Sequence, residues 1–343
     1  MYKYSIPSIT GTVILVFLIA VLLKELAFGL FSIPSASMED TVLSGDRVVV
    51  SKLHYGPRLP QSPFEVSWVN VLFWLNKKAR SHIDSTWWKY RRLKGFSTVS
   101  RGDVVVFNFP GKNKGTFYIK RCTGLPGDTL AIKHGTIICN GQAMDPPEFY
   151  KANYFIRTTD MDRMFHFTDS LHIPVSKAVG DELPACFQAV LNLSEYRHLK
   201  ELRGIESVSY AAVPAERSSA VYPYNQKFLW SPDNFGPVAV PKKGMQIELN
   251  ERNFIIYGST INNYEGQTIS FENGQSMLDG IPVASYTFRQ NYYFMLGDNR
   301  HNSADSRFLG FLPEEGIVGK AVLVLFNYQN GKFKWDRLLK REI

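Results

Sequence analysis

Cysteine is scarce in this chain. Cys122, Cys139 and Cys186 are the only three. They are too few for a disulfide scaffold and lack metal-ligand spacing, so at most one bridge can form. The seven histidines are scattered, with no His-Glu-x-x-His and no Cys/His cluster, so neither a metal nor any other cofactor is implied. No basic stripe and no nucleic-acid motif occurs, which sets nucleic acid aside as a partner. Long apolar runs are also few, and only one is strong enough to organise the chain.

With 343 residues, 45% of them hydrophobic and 14% aromatic, the chain can bury a substantial core as one large domain or two smaller ones. Its formal net charge of +8 fits a solvated surface or attraction to anionic lipid. The strong apolar run is at the start. Residues 4 to 23 carry no charge and include Val13 to Leu23, about the twenty residues a helix needs to cross a bilayer. Pro7, Ser8 and Thr10 weaken its first turn, and Lys24 and Glu25 end it. The competing reading is a cleaved secretory signal, with Lys3 as the charged end and Ser35-Ala36-Ser37 as the small-residue cut site. Lys24 and Glu25 sit badly between such a core and such a site.

Directly afterwards comes Ile33-Pro34-Ser35-Ala36-Ser37-Met38-Glu39-Asp40-Thr41-Val42. Val48-Val49-Val50 follows as a strand after the turn Gly45-Asp46-Arg47. Residues 54 to 98 form an excursion with Trp68, Trp74, Trp87, Trp88 and the basic stretch Lys89 to Arg92, which suits either a lipid interface or a packed edge. Val104 to Phe109 and Phe117 to Thr123 read as strands. Thr129, Leu130, Ile132, Gly135 and Gly141 recur in type 139 residues on, as Thr268, Ile269, Phe271, Gly274 and Gly280. Both copies predict a β-hairpin, turning at His134-Gly135 and at Asn273-Gly274. Between them lies a mixed region with a helical patch from about Asp181 to Leu202, which Asp181 could cap. Near the end, Tyr292 to Leu296 is a strand leading into Gly297-Asp298-Asn299-Arg300-His301-Asn302-Ser303-Ala304-Asp305-Ser306-Arg307. Val322 to Phe326 reads as a last buried strand, and Lys332 to Ile343 as a basic solvated tail or short helix.

Ser-x-Ser-Met directly after an apolar span, Arg101-Gly102-Asp103-Val104, Tyr118-Ile119-Lys120-Arg121 with Gly124-Leu125-Pro126-Gly127-Asp128, and the Gly297-to-Arg307 stretch all occur in one order. That conjunction resembles the signature boxes of bacterial type I signal peptidase, a membrane-bound Ser–Lys protease. Any one motif alone would be a turn, a solvated strand face or a loop. The resemblance covers residues 9 to 55, 99 to 145 and 240 to 325.

The resemblance implies a mostly β protein: an antiparallel β-sheet catalytic core, an inserted second β-rich or mixed domain, and an N-terminal transmembrane helix before both. Residues 1–31 would be a cytoplasmic tip and anchor. Residues 32–136 would form the first part of the core, 137–289 the inserted smaller domain, and 290–343 the rest of the core with the tail. Ser37 would be the nucleophile and Lys120 its base. A lysine serves as base only when deprotonated, which needs burial, and Phe117, Tyr118 and Ile119 are suitable material. The oxyanion donors would be the Ser37 N–H and the Ser35 hydroxyl. Ser303 would orient the Lys120 amine, Asp305 and Arg307 would pair, and Asp298 and Arg300 would support the loop. Ile33, Pro34, Met38, Val42, Tyr118 and Ile119 would line the site for the residue before the cut. Phe31 and Val106 would help form the site two residues upstream. Small side chains of Ala-X-Ala type would be selected.

The implied partners are signal peptides of exported preproteins and membrane lipid. The implied location is the cytoplasmic membrane, single-pass, with the catalytic body outside the cytoplasm. Secretion machinery leaves no legible mark. Three departures stand out: Glu39-Asp40 where the common pattern has a proline before the threonine, Phe117 where some members carry a carboxylate, and one apparent span rather than two. Two rivals are a self-cleaving repressor-type Ser–Lys protease, which would be soluble and bind DNA, and a catalytically silent membrane-anchored binding protein. Penicillin-recognising Ser–Lys enzymes are excluded, since Ser-x-x-Lys and Lys-Thr-Gly are both missing.

Overall fold

The computed structural model describes residues 9–61, 88–110, 116–178, 186–215 and 220–341. Its central element is an antiparallel sheet. Across it run Phe28–Ser32, Asp46–Ser51, Ile317–Gln329, Val104–Phe107, Tyr118–Gly124, Tyr292–Leu296 and Leu312–Pro313, with Lys332–Lys334 added beside Ile317–Gln329. The valine-rich strands alternate their side chains between two apolar clusters. Val48, Val50, Val104, Val106 and Ile119 gather in one. Val105, Phe107, Cys122 and Met295 gather in the other. This is the period-two consequence of a pleated sheet covered on both faces.

The 139-residue echo corresponds to two three-stranded meanders. The first is Thr129–Lys133, Thr136–Cys139 and Gln142–Ala143; the second is Ile269–Glu272, Gln275–Leu278 and Ile281–Pro282. His134-Gly135 and Asn273-Gly274 make the first turns, each with positive φ at both residues, as a two-residue hairpin turn of this hand requires. The copies agree in side-chain detail too. The Thr129 N–H donates to Asn140 Oδ1, and the Thr268 N–H donates to Asp279 Oδ1.

A separate four-stranded sheet, ordered Ile205–Tyr210, Lys151–Thr158, Cys186–Asn192 and Val175–Lys177, carries its own core around Ile156, Met164, Leu191 and Leu199. Two expectations are corrected here and in the tail. The helical patch placed at Asp181 to Leu202 is half strand: Cys186–Asn192 pairs along its whole length with Lys151–Thr158. The helix is only Leu193–Glu201, started by an Asn192–Glu195 capping box. Cross-strand pairing overrides the helical periodicity up to the point where a side chain can satisfy the first free N–H groups. Asp181 and Pro184 lie outside the described residues. The basic tail is neither solvated throughout nor only a helix, although Trp335–Arg337 does form a short 3-10 turn. It adds the strand Lys332–Lys334, then buries Arg337 against Asp46 with Nη2 to Oδ2 at 2.5 Å. The Ile317–Gln329 strand is also one continuous element rather than a connection and a short strand.

All three cysteines are buried, and none is in a disulfide. At the amino end, Ile9–Leu26 is one helix of 18 residues. Among the described residues no helix is long and apolar enough to cross a membrane. Lys52 Nζ donates to the Lys24 and Glu25 carbonyls, capping the end of this helix onto the sheet. Of the excursion at 54 to 98, residues 62–87, with Trp68, Trp74 and Trp87, lie outside the described residues. Its two stems meet, the Leu59 N–H donating to the Arg91 carbonyl.

Candidate active site

The loop between the first two strands of the central sheet carries Ser35, Ser37 and Met38. Its ends are closed by the Ile33 N–H on the Asp46 carbonyl and the Gly45 N–H on the Ile33 carbonyl. Met38 and Val42 are fully buried in the valine cluster. These apolar pins drive the turn down onto the sheet and leave Ser37, only 6% exposed, at its edge. Ser35 Oγ lies 3.4 Å from Ser37 Oγ.

Lys120 is in the middle of Tyr118–Gly124, opposite Val105 on one neighbouring strand and flanked on the other side by Tyr292–Leu296, every residue of which is buried. Its Nζ is 2.5 Å from Ser37 Oγ and donates to the Ile119 carbonyl at 2.8 Å. Burial is the main cause that brings its pKa down from 10.5 to about 8, against the opposing pull of the Asp305 and Asp298 carboxylates. Phe117 is 46% exposed and rests edge-on against Phe31, so the strands rather than this ring enclose the amine.

The Gly297-to-Arg307 loop wraps this contact. Asp305 and Arg307 are both fully buried and pair through two bonds, Nη2 to Oδ2 at 2.8 Å and Nε to Oδ1 at 2.9 Å. Burial alone would raise the Asp305 carboxyl, but the Arg307 guanidinium beside it holds it below the usual range. Asp305 Oδ2 also accepts the Gly297 N–H. A Cβ on Gly297 would lie 2.1 Å from Ser303 Oγ and 2.6 Å from the Ser37 carbonyl, so only glycine fits there. Ser303 Oγ is thereby beside the Ser37 backbone; among the described residues no hydrogen bond joins it to Lys120, and its hydroxyl instead helps hold the Asp305 carboxyl down. Arg300 is buried over the Tyr150 ring, and its Nε donates to the Gly297 carbonyl.

Of the residues expected to line the substrate sites, Ile33, Met38, Val42, Val106 and Ile119 form one cluster, with Phe31 packed on it. Tyr118 packs in the other cluster, stacked on Phe107. Pro34 is exposed.

Several functional neighbours escaped the sequence reading. Arg121, adjacent to Lys120 but on the opposite face of its strand, forks onto Asp298 with Nε to Oδ1 at 2.8 Å and Nη2 to Oδ2 at 2.6 Å. Thr41 Oγ1 donates to the same carboxylate at 2.6 Å. The Asn299 N–H donates to the Ser37 carbonyl, and its side chain to the Ala36 carbonyl, both at 3.1 Å. Arg121, Thr41 and Asn299 all sit inside the quoted motifs, so nearness to a reactive residue was the available signal. His301 accepts the Asn153 N–H on Nδ1 and donates from Nε2 to Asp233 at 3.0 Å, so both ring nitrogens are committed away from the serine.

A hydroxyl and an enclosed amine in contact, with a rigid carboxylate–guanidinium loop behind them, suit acyl transfer. The family model described as signal peptidase, peptidase S26, matches residues 6–180 and 238–326. The signal peptidase I of Buchnera aphidicola subsp. Schizaphis graminum is 26% identical over 96% of this chain and 77% of its own length. That of Buchnera aphidicola subsp. Baizongia pistaciae is 26% identical over 91% and 71%. That of Haemophilus influenzae is 25% identical over 92% and 68%. With the matched segments taking in both sides of the serine–lysine contact and the loop that braces it, this chain belongs to the peptidase S26 family and is a serine endopeptidase of the signal peptidase I type.

Proposed function

We propose that the protein removes N-terminal signal peptides from exported preproteins, cutting after small residues, with Ser37 as nucleophile and Lys120 as general base. The observation that carries this is the 2.5 Å contact between the two side chains, made where burial lowers the lysine pKa to about 8. In the neutral form the amine accepts the Ser37 proton as Oγ attacks the scissile carbonyl, then returns it to the leaving amine. The Ser37 N–H and the Ser35 hydroxyl stabilise the oxyanion. The apolar cluster beneath the serine, in which Ile33 and Ile119 keep a little exposure, is in keeping with alanine-sized side chains before the cut.

The helix Ile9–Leu26 is the anchor in this proposal. Val13, Ile14, Leu15, Val16, Phe17, Leu18 and Ile19 are all about half exposed or more. Seven consecutive residues point to every side of a helix, and an apolar surface all round suits lipid. At about 1.5 Å per residue the 18 residues of this helix fall short of the bilayer's hydrocarbon thickness of about 30 Å, and the uncharged sequence from residue 4 would supply the rest of a span. The anchor holds the catalytic body on the extracytoplasmic face of the cytoplasmic membrane, where signal peptides emerge. The test is cleavage of a fluorogenic peptide with an Ala-X-Ala segment by the detergent-solubilised chain. Turnover by wild type, and none by folded Ser37→Ala or Lys120→Ala, is expected. Turnover by either variant sinks the assignment.

A further inference from the structure

The turn that carries Ser37 passes three residues later through Asp40, whose φ is +73°. In this left-handed region a Cβ crowds the following carbonyl, and aspartate is tolerated chiefly when its short side chain finds a partner. Here the partners come from far away in the chain. Asp40 Oδ1 lies 3.4 Å from Lys151 Nζ, and Oδ2 accepts from Asn192 Nδ2 at 3.1 Å. Lys151 and Asn192 are direct cross-strand neighbours at one end of the separate four-stranded sheet. Asn192 is also the cap of helix Leu193–Glu201, so the positive end of that helix lies by the same carboxylate. Glu39 faces Lys151 more loosely, at 3.9 Å.

Lys151 makes a second attachment through its backbone. Its N–H donates to the Asp298 carbonyl at 2.9 Å, and its carbonyl accepts the Arg300 N–H at 2.8 Å. Between those two loop residues is Asn299, which holds the Ala36 and Ser37 carbonyls. One residue of the outlying sheet therefore grips the loop behind the serine with its backbone and the turn after the serine with its ammonium. We propose that Lys151 and Asp40 form a clasp through which the outlying sheet sets the position of Ser37 against Lys120, making both positioning residues for the reaction. The proposal rests on Ser37 being the nucleophile. It gives the outlying sheet a part in catalysis without any contact with the reacting atoms.

The experiment is steady-state cleavage of one Ala-X-Ala peptide by the full chain in detergent, with a melting curve for each variant. Lys151→Met keeps the backbone attachments and removes the charge. Asp40→Gly relieves the backbone and removes the carboxylate. Asp40→Asn keeps the shape and removes the charge. Roughly tenfold lower kcat with KM within twofold is expected for each, since a misplaced nucleophile slows the chemical step more than binding. The double variant Lys151→Met with Asp40→Asn should be no slower than either single one, and Lys151→Arg should recover most of the rate. Unchanged kcat in Asp40→Gly overturns the clasp, as do losses that simply add, or a rise in KM alone. If Lys151→Met fails to fold, the Asp40→Gly result decides. Ser37→Ala, run alongside, separates the two claims. An active Ser37→Ala defeats the site assignment, whereas a dead Ser37→Ala with fully active clasp variants defeats only the clasp.

Discussion

At the scale of single residues, the proposed chemistry turns on one proton. The ammonium of Lys120 is disfavoured by burial, so the folded chain releases its proton at about pH 8, whereas the unfolded chain holds it until the ordinary lysine value of 10.5. Activity that needs the neutral amine should therefore rise through about pH 8 along a single limb in kcat/KM. Lys120→Arg should be inactive at every accessible pH, because guanidinium keeps its proton. His301→Ala should leave that limb in place, since His301 is bonded to Asp233 and Asn153 rather than to the serine. Loss of the limb in His301→Ala, or activity in Lys120→Arg, would remove lysine from the base's role.

The same residue has a stability consequence. Between about pH 8 and 10.5 the unfolded chain binds one more proton than the folded chain, so stability rises with pH across that window. Below it, the folded protein carries the full cost of a buried ammonium, about 3 kcal/mol for a drop of that size. Lys120→Met should abolish cleavage and yet melt no lower than wild type at pH 7. A clearly lower Tm would mean that the amine's bonds to Ser37 and the Ile119 carbonyl outweigh its desolvation.

At the scale of elements, the Gly297-to-Arg307 loop works as one rigid piece. Removing one side of a fully buried ion pair leaves an uncompensated charge and costs about 3–5 kcal/mol. Asp305→Ala should therefore lower stability and activity together. Gly297→Ala should behave differently. Its Cβ must displace Ser303 Oγ or the Ser37 carbonyl, so kcat should fall by roughly a hundredfold or more with a smaller loss of stability. Thermal melts and kinetics on the two variants check both. Equal kinetics for Gly297→Ala and wild type would mean that the loop can move away from the serine at no cost.

Elements also divide what could be read from the chain and what could not. The hairpins at His134-Gly135 and Asn273-Gly274 were legible because a positive φ at two successive residues demands those types. The strand Cys186–Asn192 was not, because its alanine, leucine and valine suit a helix equally and only pairing with Lys151–Thr158 decides. Arg337 was read as part of a solvated tail, since nothing local reveals that Asp46, 291 residues earlier, would bury it. The motifs name the residues around Ser37 but not the bonds between them. Arg121 to Asp298 spans 177 positions and Lys151 to Asp40 spans 111, and neither spacing carries a period that pattern reading detects.

At the scale of the whole molecule, the proposed anchor Ile9–Leu26 and the β body would have different solvents. Among the described residues they join where the Ala27 carbonyl accepts the Lys52 N–H and Lys52 Nζ donates to the Lys24 and Glu25 carbonyls. Ala27 itself is buried, and Phe28–Ser32 is an integral outer strand of the central sheet. A chain starting at Ala27 therefore keeps every strand among the described residues and both sides of the Ser37–Lys120 contact. Such a chain should turn over a short Ala-X-Ala peptide within a few-fold of the full-length rate. It should lose most of its binding to lipid vesicles, because the seven exposed apolar residues from Val13 to Ile19 go with the helix. Cosedimentation with vesicles, with and without anionic lipid, reads the outcome. Full-length chain left in the supernatant would show that the helix is not a membrane anchor. Equal binding by the shortened chain, abolished by salt, would move the attachment to the basic surface of the body instead.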